Sequence, residues 1–380
     1  MLSTVSVIAA LLSLSTAPGP GKIHITPGCL APDERHTDLW CPGDDNPGIG
    51  AYECYKIPTL LKIPNTTRML AFIEARKHSC DDHGYVDLLV RSSPDDGKTW
   101  DAPLYIAGNS SETEWHTIGD ALPIWDHVTG DIHLIYTRDN EDALYSRSSD
   151  SGATWAAPRN ISDVAVRQRG SFLGTGHAGG LQLRGGNNTN RLLVPMYGGG
   201  FNSFVLASDD HGTSWFVLGE VDCPPNEWAF AETKVNTGRL IGSVRSKGSR
   251  IQTYSADGGA TWTTPQHMNS LPEPVSGCEG AVILHPNGKL YYSHPDNHVL
   301  RQKMNIKVSS DGGRSWQQHV SLWGANAGCE RPCVPAASYS SMVPINSADQ
   351  NSDIAILYMR NNKTMLIFEG RGVSFTTFSP

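Results

Sequence analysis

Several features that would assign this chain to a large class are missing or scarce. Beyond the first residues nothing resembles a transmembrane span or a lipid-anchor signal. No segment carries a long 3.6-residue apolar period, which argues against a helical protein. A dinucleotide fingerprint, a P-loop, an HExxH motif, a nucleophile-elbow serine and an EF-hand-like loop are all absent, so no cofactor and no metal is expected. Charged residues make up only 18% of the 380 residues, and the net charge is -8. Such a balance offers no bulk attraction for nucleic acid or an anionic membrane, and an acidic ligand would need a local cluster of basic groups.

What is present begins with a leader. Residues 1–20 hold an apolar run from about Val5 to Leu14, then small residues and a Pro/Gly break, which reads as a secretory signal peptide. Residues 21–50 form a Pro/Gly/Asp-rich arm, and 51–380 the folded unit. Eight cysteines, an even count in a secreted chain, favour disulfides whose connectivity spacing does not reveal. Cys329 and Cys333 have the spacing of a zinc pair, but no matching His/Cys pair stands nearby. Sequons at Asn65, Asn109, Asn160, Asn187 and Asn362 suit a glycosylated surface.

The strongest signal is a repeat. Ser-x-Asp-x-Gly-x-Thr/Ser-Trp occurs five times, at Ser93–Trp100, Ser148–Trp155, Ser208–Trp215, Ser255–Trp262 and Ser309–Trp316. A spacing of about 47 to 60 residues is that of propeller blades. The chemistry within each copy is that of a hairpin turn: Asp bonds backbone two residues on, Gly takes a positive φ, and Trp buries an apolar face beside the turn. Between the copies lie apolar runs of four to eight residues, such as MLAFIEA, DIHLIYTR and AVILHP, each bounded by Gly, Asn, Asp or Pro. Five repeats plus one blade closed jointly by the chain ends predict an all-β, six-bladed β-propeller, with a β-sandwich or two smaller barrels as the competing layouts.

The inner strands of a propeller run to a central mouth, where residues distant in sequence converge. Arg76, Arg245, Arg301 and Tyr339 are polar groups on or beside strands that otherwise read as buried. Each alone reads as a satisfied structural residue. Their order along the chain, with the repeats, resembles the sialidase (neuraminidase) superfamily from about Tyr55 to Glu369. The repeats match its Asp-boxes. Tyr55-Lys56-Ile57-Pro58 followed by LAFIEAR is similar to its opening motif, and DDHGYVDLLVRSS to the segment bearing its acid. Asn226-Glu227, GRLIGSVRS, CEGAVI, the stretch from YSHPDN to SSDGG, and SYSSM follow in the family's order.

The resemblance implies a retaining exo-glycosidase acting on sialylated or other acidic-sugar glycoconjugates. In it Tyr339 is the nucleophile, Glu227 its base partner and Asp82 the general acid/base, while Arg245 and Arg301 grip the sugar carboxylate. Asp81 is the neighbouring candidate for the acid, and Arg76 lies near the carboxylate. The chemistry is coherent, since a sugar bearing a carboxylate on its anomeric carbon repels an Asp or Glu nucleophile, and a phenol is neutral until a neighbour takes its proton. One departure stands out. Lys56 occupies the place of the family's first arginine, and an ammonium has no planar fork for bidentate carboxylate binding. Three readings stay open: a sialidase with weakened binding or a shift toward a related nonulosonic acid such as KDN or Kdo, a carbohydrate-binding propeller without turnover, and an Asp-box scaffold of unrelated activity.

Overall fold

The computed structural model describes residues 35–108, 115–324, 336–361 and 372–380. Cys29, Cys329, Cys333, Asn109, Asn362 and the leader lie outside the described residues. Six antiparallel sheets form a closed ring. The first strand in the chain, β1 (Thr37–Trp40), belongs to the last blade. Blade 1 is β2 (Cys54–Lys62), β3 (Met69–Arg76), β4 (Val86–Ser93) and β5 (Leu104–Ala107). Blade 2 follows with β6 (Ile118–Trp125), β7 (Ile132–Arg138), β8 (Asp142–Ser148) and β9 (Arg159–Asn160), and a single helical turn, α1 (Ser162–Ala165), leads on from it. Blade 3 splits its inner edge between β10 (Leu173–Thr175) and β11 (Leu181–Gln182), both paired to β12 (Leu192–Gly198), with β13 (Ser203–Ser208) and β14 (Phe216–Val221) outside. Blade 4 is β15 (Trp228–Glu232), β16 (Leu240–Val244), β17 (Ser249–Ser255) and β18 (Gln266–Pro272). Blade 5 is β19 (Ala281–Leu284), β20 (Leu290–Pro295), β21 (Met304–Ser309) and β22 (Gln317–Trp323). Blade 6 is β23 (Ala336–Pro344), β24 (Ile354–Asn361) and β25 (Gly372–Phe378), completed by β1 from the other end of the chain.

That closure corrects one expected boundary, because the stretch read as an N-terminal arm contains the outer strand of the sixth blade. Thr37 pairs with Phe375 and Trp40 with Val373. The seam is reinforced by a buried ion pair, Arg360 Nη2 to Asp38 Oδ1 at 2.6 Å, with the Arg360 guanidinium 4.5 Å from the Trp323 ring centroid. Ring closure removes sheet edges that would otherwise pair with other chains.

The core is divided among the blades. Among the described residues there are six apolar clusters, and each contains side chains from two neighbouring blades. Tyr55 and Met69 of blade 1, for example, pack with Leu357 and Val373 of blade 6, and Leu122 and Ile135 of blade 2 with Val194 and Phe204 of blade 3. No blade could bury both of its faces alone, so the hydrophobic term is gained only when the ring is complete.

The repeats fold as their composition predicts. In all five, the Ser Oγ accepts the backbone N–H of the Gly at 2.8 Å and donates to the Asp carboxylate. The same Asp accepts the backbone N–H and the hydroxyl of the Thr or Ser four residues on. Each repeat glycine has φ between 78° and 94°, and at Gly97 a Cβ would fall 2.2 Å from the Phe375 ring. Only a residue without a side chain fits there.

Candidate active site

The inner strands β2, β6, β10, β15, β19 and β23 pack side by side around the axis. Three of them are irregular at the same end. Register shifts lie between Lys56 and Thr59 in β2, between Gly119 and Leu122 in β6, and between Ser338 and Ser340 in β23. At these bulges Ile57, Asp120 and Tyr339 take φ of 56°, 58° and 26°. His177, in the gap between β10 and β11, has φ 61°. Left-handed backbone is costly for these residue types, and such strain collects where a side chain must be re-aimed. All four line one cavity of about 380 Å³ together with Lys56, Glu74, Arg76, Asp82, Glu227, Arg245 and Arg301.

At its floor, the Tyr339 hydroxyl donates to Glu227 Oε1 at 2.6 Å. Arg245 Nη1 donates to Glu227 Oε2 at 2.6 Å and to the Tyr339 oxygen at 3.0 Å, and the Arg301 guanidinium lies 5.2 Å from the Tyr339 ring centroid. Burial pushes the Tyr339 phenol well above its ordinary value, and the Glu227 charge adds to this against the pull of Arg245 and Arg301. Burial alone would raise Glu227 too, but Arg245 and His177 hold it well below the usual carboxylate range. The resting pair is therefore a neutral phenol hydrogen-bonded to a carboxylate, the arrangement of a nucleophile beside its base.

Across the mouth, Arg76 is the hub. Its Nη1 donates to Asp82 Oδ1 at 2.8 Å and to the carbonyls of Cys80 and Asp81, and its Nη2 to Glu74 Oε2 at 2.7 Å. The Asp82 side chain is 82% exposed, so solvent or a ligand can reach its carboxylate. Partial burial would raise its pKa, but the Arg76 hydrogen bond and charge, with Lys56 and Arg301 behind them, lower it. Lys56 donates to the Cys80 carbonyl at 2.5 Å and lies 3.8 Å from Asp82 Oδ1. The disulfide Cys54–Cys80 ties the strand bearing Lys56 to the loop bearing Asp82. Opening a loop of that span, with a sequence separation of 26, removes about 3 kcal/mol of stability in the chain-entropy account. A Cys54→Ser, Cys80→Ser variant is therefore expected to melt earlier, and thermal melting checks this.

The structure thus brings Tyr339, Glu227, Asp82, Lys56, Arg76, Arg245 and Arg301 to one mouth. Asp81 is a correction. It is exposed, its carboxylate accepts from Ser79 Oγ at 3.0 Å, and it lines a smaller neighbouring depression instead. Only its backbone carbonyl serves the cluster, through Arg76. The disulfides expected from the even cysteine count are present in part. Cys41 and the Cys54–Cys80 pair are disulfide-bonded, whereas Cys223 and Cys278 are buried thiols. Cys278 packs in the apolar cluster with Tyr55 and Tyr339, where burial pushes its pKa up to about 11.

Sequence reasoning missed four buried groups. Glu74 accepts from Arg76 and, through Oε1, from the backbone of Asp120 at 2.9 Å. Asp120 and His177 face each other at 3.3 Å, and Glu279 accepts the backbone N–H of Ser340 at 2.9 Å. Burial pushes Asp120 upward, against the pull of the His177 imidazole, and raises Glu279 to about 8. Among the described residues, no three His, Cys, Asp or Glu side chains converge as metal ligands do, and no helix is long and apolar enough to cross a membrane.

A ring of Asp-box blades with a buried Tyr–Glu–Arg cluster at its mouth defines the class. Residues 67–362 match the family model described as a BNR repeat-like domain, and the chain belongs to the sialidase/BNR-repeat superfamily. It is 28% identical over 296 residues to Sialidase-2 of Cricetulus griseus, covering 67% of this chain and 77% of that protein. Against Sialidase-4 of Homo sapiens the identity is 28% over 272 residues, and the match spans 61% of this chain and about half, 54%, of that protein. Among solved structures, the Hadza microbial sialidase Hz136 superposes with a TM-score of 0.73 at 23% identity over 90% of this chain and 68% of that one. A leech intramolecular trans-sialidase complexed with 2,7-anhydro-Neu5Ac gives 0.69 at 15% identity, over 86% of this chain and 68% of that one. At these identities the structural likeness concerns the propeller fold.

Proposed function

We propose that this protein is a secreted, retaining exo-α-sialidase that releases terminal sialic acid, or a related nonulosonic acid such as KDN, from glycoconjugates. The observation that carries this reading is the 2.6 Å bond from the Tyr339 hydroxyl to Glu227 in the same mouth as the exposed carboxylate of Asp82. The sugar carboxylate is met by Arg245, Arg301 and Lys56. A carboxylate nucleophile about 4 Å from that charge would be repelled by roughly 4 kcal/mol at an effective dielectric of 20, and the phenol avoids this. In the first step Tyr339 Oη attacks the anomeric carbon and passes its proton to Glu227, while Asp82 gives its proton to the leaving oxygen. In the second, the Asp82 carboxylate takes a proton from water as that water attacks the anomeric carbon. Tyr339 leaves and recovers its proton from Glu227. Two inversions give net retention.

The test is hydrolysis of fluorogenic α-glycosides of N-acetylneuraminic acid, KDN and Kdo, with NMR of the sugar first released. The expected product is the α anomer; first release of the β anomer would contradict the double displacement. Secretion rests on the disulfides, which persist in oxidising compartments. In addition, Asn65, Asn160 and Asn187 are all exposed.

Lys56 favours a second reading. Its ammonium is bonded to the Cys80 carbonyl and cannot fork onto a carboxylate, as a binding-only propeller would tolerate. The two readings part on Lys56→Arg. In an enzyme, a bidentate contact worth about 1 to 3 kcal/mol lowers KM by roughly 5- to 150-fold with kcat little changed. In a binding protein the dissociation constant falls and no turnover appears.

A further inference from the structure

Behind the Tyr339–Glu227 pair, the site holds an imidazole that the mechanism above does not use. His177 is 2% exposed and sits between two carboxylates, its Nε2 3.4 Å from Glu227 Oε1 and its Nδ1 3.3 Å from Asp120 Oδ1. Its ring meets the Tyr339 ring edge-on at 5.9 Å. Glu227 Oε1 therefore faces both the phenol it would deprotonate and the imidazole.

The backbone is shaped to put it there. His177 is left-handed, with φ 61°, in a tight turn where the Ala178 N–H donates to the Gly176 carbonyl at 2.8 Å. A Cβ on Gly176 would lie 1.8 Å from the Trp228 carbonyl, so that neighbour must be glycine. The His177 carbonyl is pinned by Thr59 Oγ1 at 2.7 Å, and the same hydroxyl lies 2.8 Å from the Ala121 carbonyl. Blades 1, 2 and 3 together thus fix one side chain, and strain kept at a buried polar residue points to use rather than to packing.

We propose that His177 is a positioning residue of the reaction, an imidazolium that with Asp120 keeps Glu227 ionised and aimed at the Tyr339 hydroxyl. The proposal rests on the Tyr339 mechanism above. The charged and titratable groups around the ring are Asp120 on β6, with Glu74 of β3 behind it, and Glu227 at the start of β15. Glu279 before β19, Tyr197 on β12, Tyr339 on β23 and Arg245 complete the set. Carboxyl groups outnumber cations on the ring's own side, since Arg245 reaches the other oxygen of Glu227. Although burial opposes it, the carboxylates of Asp120 and Glu227, 3.3 and 3.4 Å from its two nitrogens, raise the imidazole above its ordinary value and so favour its cationic form. Once Tyr339 has passed its proton to Glu227, the imidazolium favours its return, because it stabilises the carboxylate over the acid. The cation thus helps restore the nucleophile in the second step.

The experiment compares wild type, His177→Gln and Asp120→Asn on an activated aryl α-sialoside, whose leaving group needs little help from Asp82. Glutamine keeps a donor toward Glu227 without the charge. Removing the cation lets Glu227 rise, so the acid limb of kcat is expected to move up by about one pH unit or more. At the optimum, kcat falls by roughly 10- to 100-fold, while KM changes by less than about threefold, since the ring does not meet the sugar carboxylate. Asp120→Asn removes the partner charge, and histidine NMR, assigned by difference against His177→Gln, is expected to show the ring losing its proton at lower pH than in wild type. An unmoved acid limb in a folded His177→Gln protein, or a His177 ring neutral at pH 7 in wild type, overturns the proposal. Absence of Tyr339-dependent turnover in wild type at every pH would instead overturn the mechanism on which it rests.

Discussion

Tyr339→Phe is expected to lower kcat by on the order of 10³-fold or more while leaving binding of a nonulosonic acid within about threefold. The change removes one oxygen and keeps the ring, so the edge contact to His177 and the cation–π contact with Arg301 remain. Glu227 keeps Arg245 on its other oxygen, and no buried carboxylate is left unpaired. The loss therefore falls on chemistry rather than on folding. Parallel kinetics and ligand titration by calorimetry separate the two, and a binding-only propeller would show neither wild-type turnover nor any difference between the proteins.

Asp82→Asn carries the second large effect, and it depends on the leaving group. With a sugar leaving group, which needs its oxygen protonated, loss of the acid is expected to cost about 10²- to 10⁴-fold. An activated aryl leaving group departs without that proton, so its first step is nearly spared. The pH dependence has a definite sign. Arg76 and Lys56 hold Asp82 ionised in the free protein, and the acid form needed for the first step grows as pH falls, so kcat/KM rises toward acid. A bound sugar carboxylate offsets the same cations and eases Asp82 back up. The alkaline limb of kcat is thus expected at higher pH than that of kcat/KM. Pre-steady-state and pH-rate measurements on the two substrate types check both statements.

The architecture was legible because a repeat is a local pattern. Each Asp-box fixes its own turn through bonds between residues no more than four apart, and five copies counted the blades. The closing strand was less legible. Thr37–Trp40 is four residues inside a Pro/Gly/Asp-rich stretch and becomes a strand only because β25 offers it an edge. At the site, Tyr339, Glu227, Asp82 and the arginines were reached through a resemblance of ordered motifs, and the structure adds how they meet. Period-two alternation could not have done so, since the bulges at Ile57, Asp120 and Tyr339 flip the face a side chain takes. His177 lay in the glycine-rich stretch GTGHAGG, which reads as a turn, and nothing local says that its ring enters a cavity shared by the five other blades. The choice between Asp81 and Asp82 likewise required knowing which of two adjacent carboxylates Arg76 reaches. Cysteine pairing follows the same rule, with Cys54 and Cys80 joined because β2 and the loop after β3 are neighbours at the mouth.

The most direct measurement of the central claim is the mass of the Tyr339 peptide after reaction with a fluorinated nonulosonic acid donor that forms the glycosyl intermediate faster than water can release it. A single added sugar on Tyr339, absent in Tyr339→Phe and discharged on prolonged incubation with restoration of activity, is the predicted result. An enzyme that turns over sialosides yet carries the sugar on another residue, or on none, would contradict it.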